Sequence, residues 1–358
     1  MITLADLPIR DNLRGMVPYG APQREVPIAL NVNENTHPIP EAVALHIIES
    51  LSAAMLKINR YPDREFTLLR ESLAGYLGAG LTRENIWAAN GSNEVLQQIL
   101  QAFGGPGRSV LGFPPTYSMH SIIASGTGTR WIEAARDAEY RISPETAVRA
   151  IAEWTPDIVF FCSPNNPTGT PVSLETIEAA YSATDGIVVV DEAYAEFAPV
   201  GLPTALTLLE GRPRLIVSRT MSKAFAFAGA RVGYLAGDPA MADAMRLVRL
   251  PYHLSALTQA AAVAALAHTG EMLAMVDDIR IQRDRLLVEL AAMGYSPHES
   301  WANFVLFGGV ARPADVFQRL LAEGILIRDL GIEGHLRVTA GTEPETTAFL
   351  AALARIGR

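Results

Sequence analysis

Short apolar runs recur through the middle of the chain, and longer mixed segments separate them. Ile158-Val159-Phe160-Phe161-Cys162 is apolar throughout, and Ile187-Val188-Val189-Val190 leads into Asp191. The pattern predicts strands at Ser109–Phe113, Thr129–Glu133, Ile158–Cys162, Ile187–Asp191, Leu215–Ser218 and Val232–Ala236. Unbroken rather than alternating hydrophobicity is what strands buried on both faces show. Helical segments such as Ser173–Thr184 lie between them. This alternation predicts an α/β fold with a mostly parallel sheet flanked by helices.

The two ends read differently. Residues 1–30 are rich in Pro and Gly and form an arm. Residues 31–255 hold the strand–helix alternation and make the large domain. A long helical pattern over 256–292 predicts a connecting helix. Residues 293–358 predict short strands at Asn303–Phe307, Ile325–Arg328 and Leu336–Thr339, with helices at Ala314–Glu323 and Glu345–Ile356. That is a small α/β domain, which part of the arm is expected to join.

Composition narrows the function classes. The chain has 358 residues, 49% hydrophobic, enough for a sizeable core. A formal net charge of −9 argues against binding a nucleic-acid backbone. The single cysteine, Cys162, cannot form an intrachain disulfide and reads as a small apolar core residue. Met1–Pro8 lacks a basic stretch followed by an apolar one, and no apolar run reaches membrane-spanning length. A soluble cytoplasmic protein is expected. The seven histidines show no His-x-x-x-His pair and no Cys/His cluster, so no metal site is expected.

Several motifs carry chemistry. Gly91-Ser92-Asn93-Glu94 precedes apolar positions at helical spacing, which predicts a helix capped by Ser92 or Asn93. Its N-terminus would present free N–H groups to a phosphate. Ser163-Pro164-Asn165-Asn166-Pro167 follows a predicted strand and puts the Asn166 amide at the carboxyl edge of the sheet, where open α/β sheets bind ligands. Asp191 ends an apolar strand; a buried carboxylate there can keep a pyridine nitrogen protonated. Tyr194 follows and can bond a phenolate oxygen, while Glu192 reads as an orienting or surface group. Lys223 sits among Thr220, Ser222 and Arg231, with Gly229 and Gly233 flanking the arginine. Two hydroxyls and a guanidinium suit a phosphate monoester, and a lysine beside them suits an imine on pyridoxal phosphate. Tyr117, in Pro-Pro-Thr-Tyr, can stack on such a ring.

The ordered set Gly-Ser-Asn-Glu (91–94), Pro-Thr-Tyr (115–117), Pro-Asn-Asn-Pro-Thr-Gly (164–169), Asp-Glu-Ala-Tyr (191–194), Ser-Lys-Ala-Phe (222–225) and Ala-Gly-Ala-Arg-Val-Gly-Tyr (228–234) resembles the fold-type I pyridoxal-phosphate aminotransferases. More narrowly the chain is similar to histidinol-phosphate aminotransferases. Leu30–Asn35, Arg60-Tyr61-Pro62, Leu250–Ser255, Ala302-Asn303-Phe304 and Leu336–Thr339 extend the likeness over nearly the whole chain.

The resemblance implies roles. Lys223 would be the Schiff-base lysine and proton shuttle, and Asp191 would pair with the pyridinium. Asn166 and Tyr194 would bind the ring oxygen, and Tyr117 would stack. Ser92, Asn93, Thr220, Ser222 and Arg231 would hold the cofactor phosphate. Tyr61 would reach the cofactor phosphate of a neighbouring subunit, implying a homodimer with shared sites. Arg337 would bind the substrate's anionic group, with Tyr19, Asn33, Tyr252 and Arg328 as further substrate contacts. In one departure, Thr36-His37 follows Asn35 where the family usually has proline first.

The reaction implied is transamination of L-histidinol phosphate with 2-oxoglutarate, giving imidazole acetol phosphate and glutamate, a step of histidine biosynthesis. The nearest alternative is an aromatic amino acid aminotransferase on the same scaffold. The resemblance around Tyr19-Gly20-Ala21-Pro22 and Leu250–Ser255 favours histidinol phosphate. A non-catalytic pyridoxal-phosphate-binding regulator would need a DNA-binding extension, and no basic helix-turn-helix segment precedes Leu30. A nicotinamide enzyme would need Gly-x-Gly-x-x-Gly between a strand and a helix, which the chain lacks.

Overall fold

The computed structural model describes residues 2–16, 19–20 and 22–357; Ala21 of the Tyr19–Pro22 segment lies outside them. In chain order the strands are β1 (Ile28–Ala29), β2 (Ile86–Ala89), β3 (Ser109–Gly112), β4 (Arg130–Glu133), β5 (Ile158–Cys162) and β6 (Ile187–Asp191). They continue as β7 (Leu215–Thr220), β8 (Gly233–Gly237), β9 (Ser296–Pro297), β10 (Phe304–Gly308), β11 (Ile325–Leu326) and β12 (Leu336–Thr339).

Seven strands form the central sheet in the order β2-β8-β7-β6-β5-β3-β4. Among the described residues β8 alone runs against the others. Every residue of β5, β6, β7 and β8 is buried, which explains the apolar runs Ile158–Cys162, Ile187–Val190 and Leu215–Val217. Helices Met119–Thr127, Pro144–Trp154 and Leu174–Ala183 fall between consecutive strands and return the chain for the next parallel one. Ser143 and Ser173 start two of them by accepting the backbone N–H three residues on.

This topology positions the site. Parallel strands end at one edge, and β8, being reversed, begins there. Residues after β2, β3, β5, β6 and β7, and those just before β8, therefore converge. Register adds detail: Asp191 at the end of β6 lies opposite Cys162 of β5 and Ser218 of β7.

Two smaller sheets complete the fold. β12, β10 and β9 form an antiparallel trio, and β1 pairs in parallel with β11, so Ile28 lies opposite Ile325. The arm thus joins the C-terminal part of the chain through backbone hydrogen bonds.

The predicted central strands are present with ends shifted by a residue or two. Strand β2, Ile86-Trp87-Ala88-Ala89, was not anticipated: it is short and directly follows the polar turn Arg83–Asn85. The helical pattern over 256–292 is two helices, Ala256–Leu266 and Thr269–Ala292. His268 interrupts it, with φ −117° and ψ 36°, and its Nε2 lies 3.0 Å from Nδ1 of His46 on helix Glu41–Met55.

Candidate active site

At the convergent edge lies a cavity of about 340 Å³. Ser92, Asn93, Tyr117, Asn166, Asp191, Tyr194, Thr220, Ser222, Lys223 and Arg231 all line it. So do Tyr19, Asn33, Arg328 and Arg337. The sequence order scatters these residues over three hundred positions; the strand ends bring them together.

One corner is built for an anion. Helix Ser92–Phe103 points its N-terminus there, with Gly91 as the cap residue. This corrects the expectation that Ser92 or Asn93 caps it. Gly91 has φ +86°, a conformation that favours glycine, and Ser92 and Asn93 fall in the first turn. A Cβ on Gly91 would lie 2.3 Å from an Arg231 guanidinium nitrogen, and one on Gly233 would lie 2.1 Å from the Ser92 nitrogen. Both positions must be bare for the helix end and the arginine to share the corner. Arg231 itself has φ +58°, a strained conformation for a non-glycine residue. Ser222 Oγ accepts from Thr220 Oγ1 at 3.0 Å and from Arg231 at 3.5 Å. Hydroxyls, guanidinium and helix N-terminus together suit a phosphate dianion.

The floor carries a buried carboxylate. Asp191 is 2% exposed. His120 Nε2 lies 3.0 Å from its Oδ2, and Ser218 Oγ donates to its Oδ1 at 3.0 Å. Above it, Tyr117 donates to Asn93 Oδ1 at 3.1 Å, which ties the aromatic ring to the phosphate corner. Burial pushes the Tyr117 and Tyr194 phenols well above their ordinary values, so both stay protonated donors.

Lys223 follows β7 and donates to the Val32 carbonyl at 3.0 Å. Burial, with the charges of Arg337 and Arg231 acting the same way, pulls its pKa down to about 8. Arg337, on β12, donates to Asn166 Oδ1 at 2.5 Å and to the Asn31 carbonyl at 2.7 Å, and its buried Nε has no hydrogen-bond partner. Burial lowers its pKa to about 10, so it remains a cation at neutral pH. Asn33 donates to the Tyr194 hydroxyl at 3.0 Å, which leaves Tyr194 its own proton to give. Asn35, in the loop that departs from the family pattern, donates to the Ala224 carbonyl at 3.3 Å, and its Oδ1 accepts from the His37 N–H at 2.9 Å.

Two expected residues stand apart. Tyr61 and Tyr252 do not line the cavity of the single chain. They stack on each other at 4.4 Å between centroids, and Tyr61 is 80% exposed.

Other residues escaped the sequence reading. His120 and Ser218 hold Asp191, and Leu330 and Ile332 line the outer cavity. Glu192 is not at the surface: it is 4% exposed and binds Arg219 through bonds of 2.7 and 3.1 Å. His120 stands three residues after Tyr117 at the start of a helix, which was the available signal. Cys162 is buried as expected, but it also borders the cavity.

The model of the aminotransferase class I and II family matches residues 25–353. The chain belongs to this family. As an aminotransferase it is 62% identical over 350 residues to the histidinol-phosphate aminotransferase of Paenarthrobacter aurescens, covering 97% of this chain and 94% of that one. It is 54% identical to the histidinol-phosphate aminotransferase of Thermobifida fusca, covering 98% and 96%. Among solved structures, the histidinol-phosphate aminotransferase of Sinorhizobium meliloti in complex with pyridoxal-5'-phosphate superposes with a TM-score of 0.86 at 27% identity, covering 98% and 97%. The fold-type I reading holds for this aminotransferase. Among its described residues no helix is long and apolar enough to cross a membrane.

Proposed function

We propose that this aminotransferase moves the amino group of L-histidinol phosphate to 2-oxoglutarate, giving imidazole acetol phosphate and glutamate, with pyridoxal 5'-phosphate as cofactor. The observation that carries the substrate is the 62% identity, over nearly full length, to a relative of that name. The anion corner, the buried Asp191 and the Lys223 amine fit the cofactor's phosphate, ring nitrogen and aldehyde in chemical type.

When bound, pyridoxal phosphate supplies an aldehyde that condenses with amines and a ring that takes up electrons when the substrate C–H bond breaks. The chain's residues do the rest. The Ser92 helix, Thr220, Ser222 and Arg231 would hold the phosphate. Asp191, oriented by His120 and Ser218, would keep a proton on the ring nitrogen. Tyr194 and Asn166 would bind the ring oxygen, and Tyr117 would cover the ring face. Lys223 Nζ would take the proton from the substrate's amine-bearing carbon and hold it for return. A pKa of about 8 suits an amine that must alternate between base and acid near neutrality.

Histidinol phosphate carries a phosphate where glutamate carries a carboxylate. Arg337 can meet either with a guanidinium fork, and Arg328 with Tyr19 can take the extra phosphate oxygens. Asn33, which donates to the Tyr194 hydroxyl, is a further substrate contact.

Tyr61 and Tyr252 would serve the site through a homodimer, Tyr61 reaching the other subunit's cofactor phosphate. Their exposure supports this, as do the exposed Leu56, Leu68, Leu247 and Leu250 nearby in sequence. The arm at 1–30, a large domain at 31–255, connecting helices over 256–292 and a small domain at 293–358 are the parts we assign, in a cytoplasmic enzyme.

Comparing kcat/KM for histidinol phosphate and phenylalanine tests the substrate. We expect histidinol phosphate to win by at least about tenfold, since its phosphate adds charge-assisted hydrogen bonds. A preference for phenylalanine would favour the aromatic alternative.

A further inference from the structure

The segment joining β11 to β12 lines the outer cavity and is held from behind by two histidines. Arg328 and Arg337 face each other across it, each backbone N–H donating to the other's carbonyl at 2.9 Å. Between them the chain turns through residues 329–335, with Gly331 and Gly334 both at φ +69°. Leu330 and Ile332 on this loop line the cavity beside the two arginines. At its far end His335 Nδ1 lies 2.6 Å from the Glu333 carbonyl oxygen, and His335 Nε2 lies 3.1 Å from His298 Nε2. The two rings stack at 5.2 Å, and Tyr140 meets the His298 ring edgewise at 5.0 Å. A Cβ on Gly308 would come within 2.7 Å of His335 Nε2, so β10 leaves room for this ring.

The proton positions follow. A carbonyl oxygen only accepts, so His335 Nδ1 carries a proton. The neutral ring then has its lone pair on Nε2, and His298 Nε2 must be the donor.

We propose that His298 and His335 are positioning residues for substrate selection: their shared hydrogen bond sets the 329–335 loop, which presents Leu330 and Ile332 as an apolar wall for the substrate's planar ring. The planar ring rests on the function proposed above; the loop's dependence on the histidine pair does not.

The charged and titratable surroundings are Glu139, Asp137, Arg136 and the Arg141–Glu299 ion pair around Tyr140, and Glu333 on the loop. Glu139 favours protonation of His298, but burial, followed by His335, outweighs it and holds His298 below its ordinary value. His298 therefore stays neutral at neutral pH and serves as the donor.

Hydrogen–deuterium exchange of the loop amides, corrected for intrinsic rates, reads this without turnover. At about pH 8 we expect the wild type to be protected and His298→Ala roughly tenfold less protected, the loss of one hydrogen bond. His298→Gln, whose amide can donate to His335 Nε2, should stay protected. In parallel, His298→Ala should raise KM for histidinol phosphate up to about tenfold with kcat nearly unchanged, and move KM for glutamate, which has no ring, less. Wild-type protection in His298→Ala, or a His298→Gln variant that exchanges as fast as His298→Ala, overturns the proposed bond. Equal KM shifts for both donors overturn the role in selection. If the loop behaves as expected but histidinol phosphate is not a substrate, the bond stands and the substrate assignment fails.

Discussion

His120 Nε2 lies 3.0 Å from Asp191 Oδ2, and both side chains are almost fully buried. Ser218 occupies the other carboxylate oxygen, so Asp191 is fixed in orientation by two partners from different elements. In the function proposed above, a carboxylate held this way would keep a lone pair aimed at the cofactor's ring nitrogen. His120→Ala should lower kcat by about 10–100-fold, the range for losing a hydrogen bond to a charged group. The absorbance of the bound cofactor should shift its pH dependence as well. His120→Asn, which can still donate, should recover part of both. Unchanged spectra and kcat in His120→Ala would show that Ser218 alone orients the carboxylate.

Gly233 predicts a cofactor-affinity effect remote from chemistry. Its absent Cβ would sit 2.1 Å from the Ser92 nitrogen. Gly233→Ala must push the helix N-terminus away from Arg231. Overpacking of this kind costs about 1–3 kcal/mol, so affinity for pyridoxal phosphate should fall about 5–150-fold. Titrating the apoenzyme by fluorescence measures it; wild-type affinity would mean the corner relaxes freely.

The Lys223 amine should destabilise the apoenzyme. Its pKa is about 8 when folded, against 10.5 for an ordinary lysine. Between these values the unfolded chain binds more protons, so this group makes stability rise with pH across that interval. Below about pH 8 the cost is full and amounts to about 3 kcal/mol, trimmed to roughly 2 because the Lys223 residue is only half-buried. Apo Lys223→Met should therefore unfold at higher denaturant than wild type at neutral pH. The difference should shrink as pH rises toward 10.5. A constant difference across pH would assign it to packing.

Tyr61, exposed in the single chain, should act across a dimer. Lys223→Ala and Tyr61→Ala should each be impaired as homodimers. Mixed dimers contain one site with both residues intact, so co-refolding the two should regain activity. No regain would place Tyr61 outside the shared site.

The sheet was legible because β5 and β6 carry runs that only a doubly buried strand explains. The gathering of Ser222, Lys223 and Arg231 at one cavity was legible because they sit in short motifs. What escaped depends on distant contacts. His120 reaches Asp191 across 71 positions, and its place three residues after Tyr117 is a faint local sign of that contact. Gly91 took the cap from Ser92 because the backbone there needs a positive φ. Glu192 looked solvated at a strand end, but Arg219 on the neighbouring strand draws it inside. Leu330 and Ile332 carry no motif at all; only the turn between Arg328 and Arg337 makes them cavity residues.

The most direct measurement is a single turnover of the enzyme loaded with pyridoxal phosphate, followed by absorbance. Adding histidinol phosphate without 2-oxoglutarate should convert the bound cofactor stoichiometrically to its amine form, and adding 2-oxoglutarate should restore it. Lys223→Ala should lose this conversion by a factor of about 10²–10⁴ or more, as expected when a proton-transfer group is removed. A wild-type enzyme whose spectrum does not respond to histidinol phosphate, or a Lys223→Ala variant that converts at the wild-type rate, would contradict the assignment.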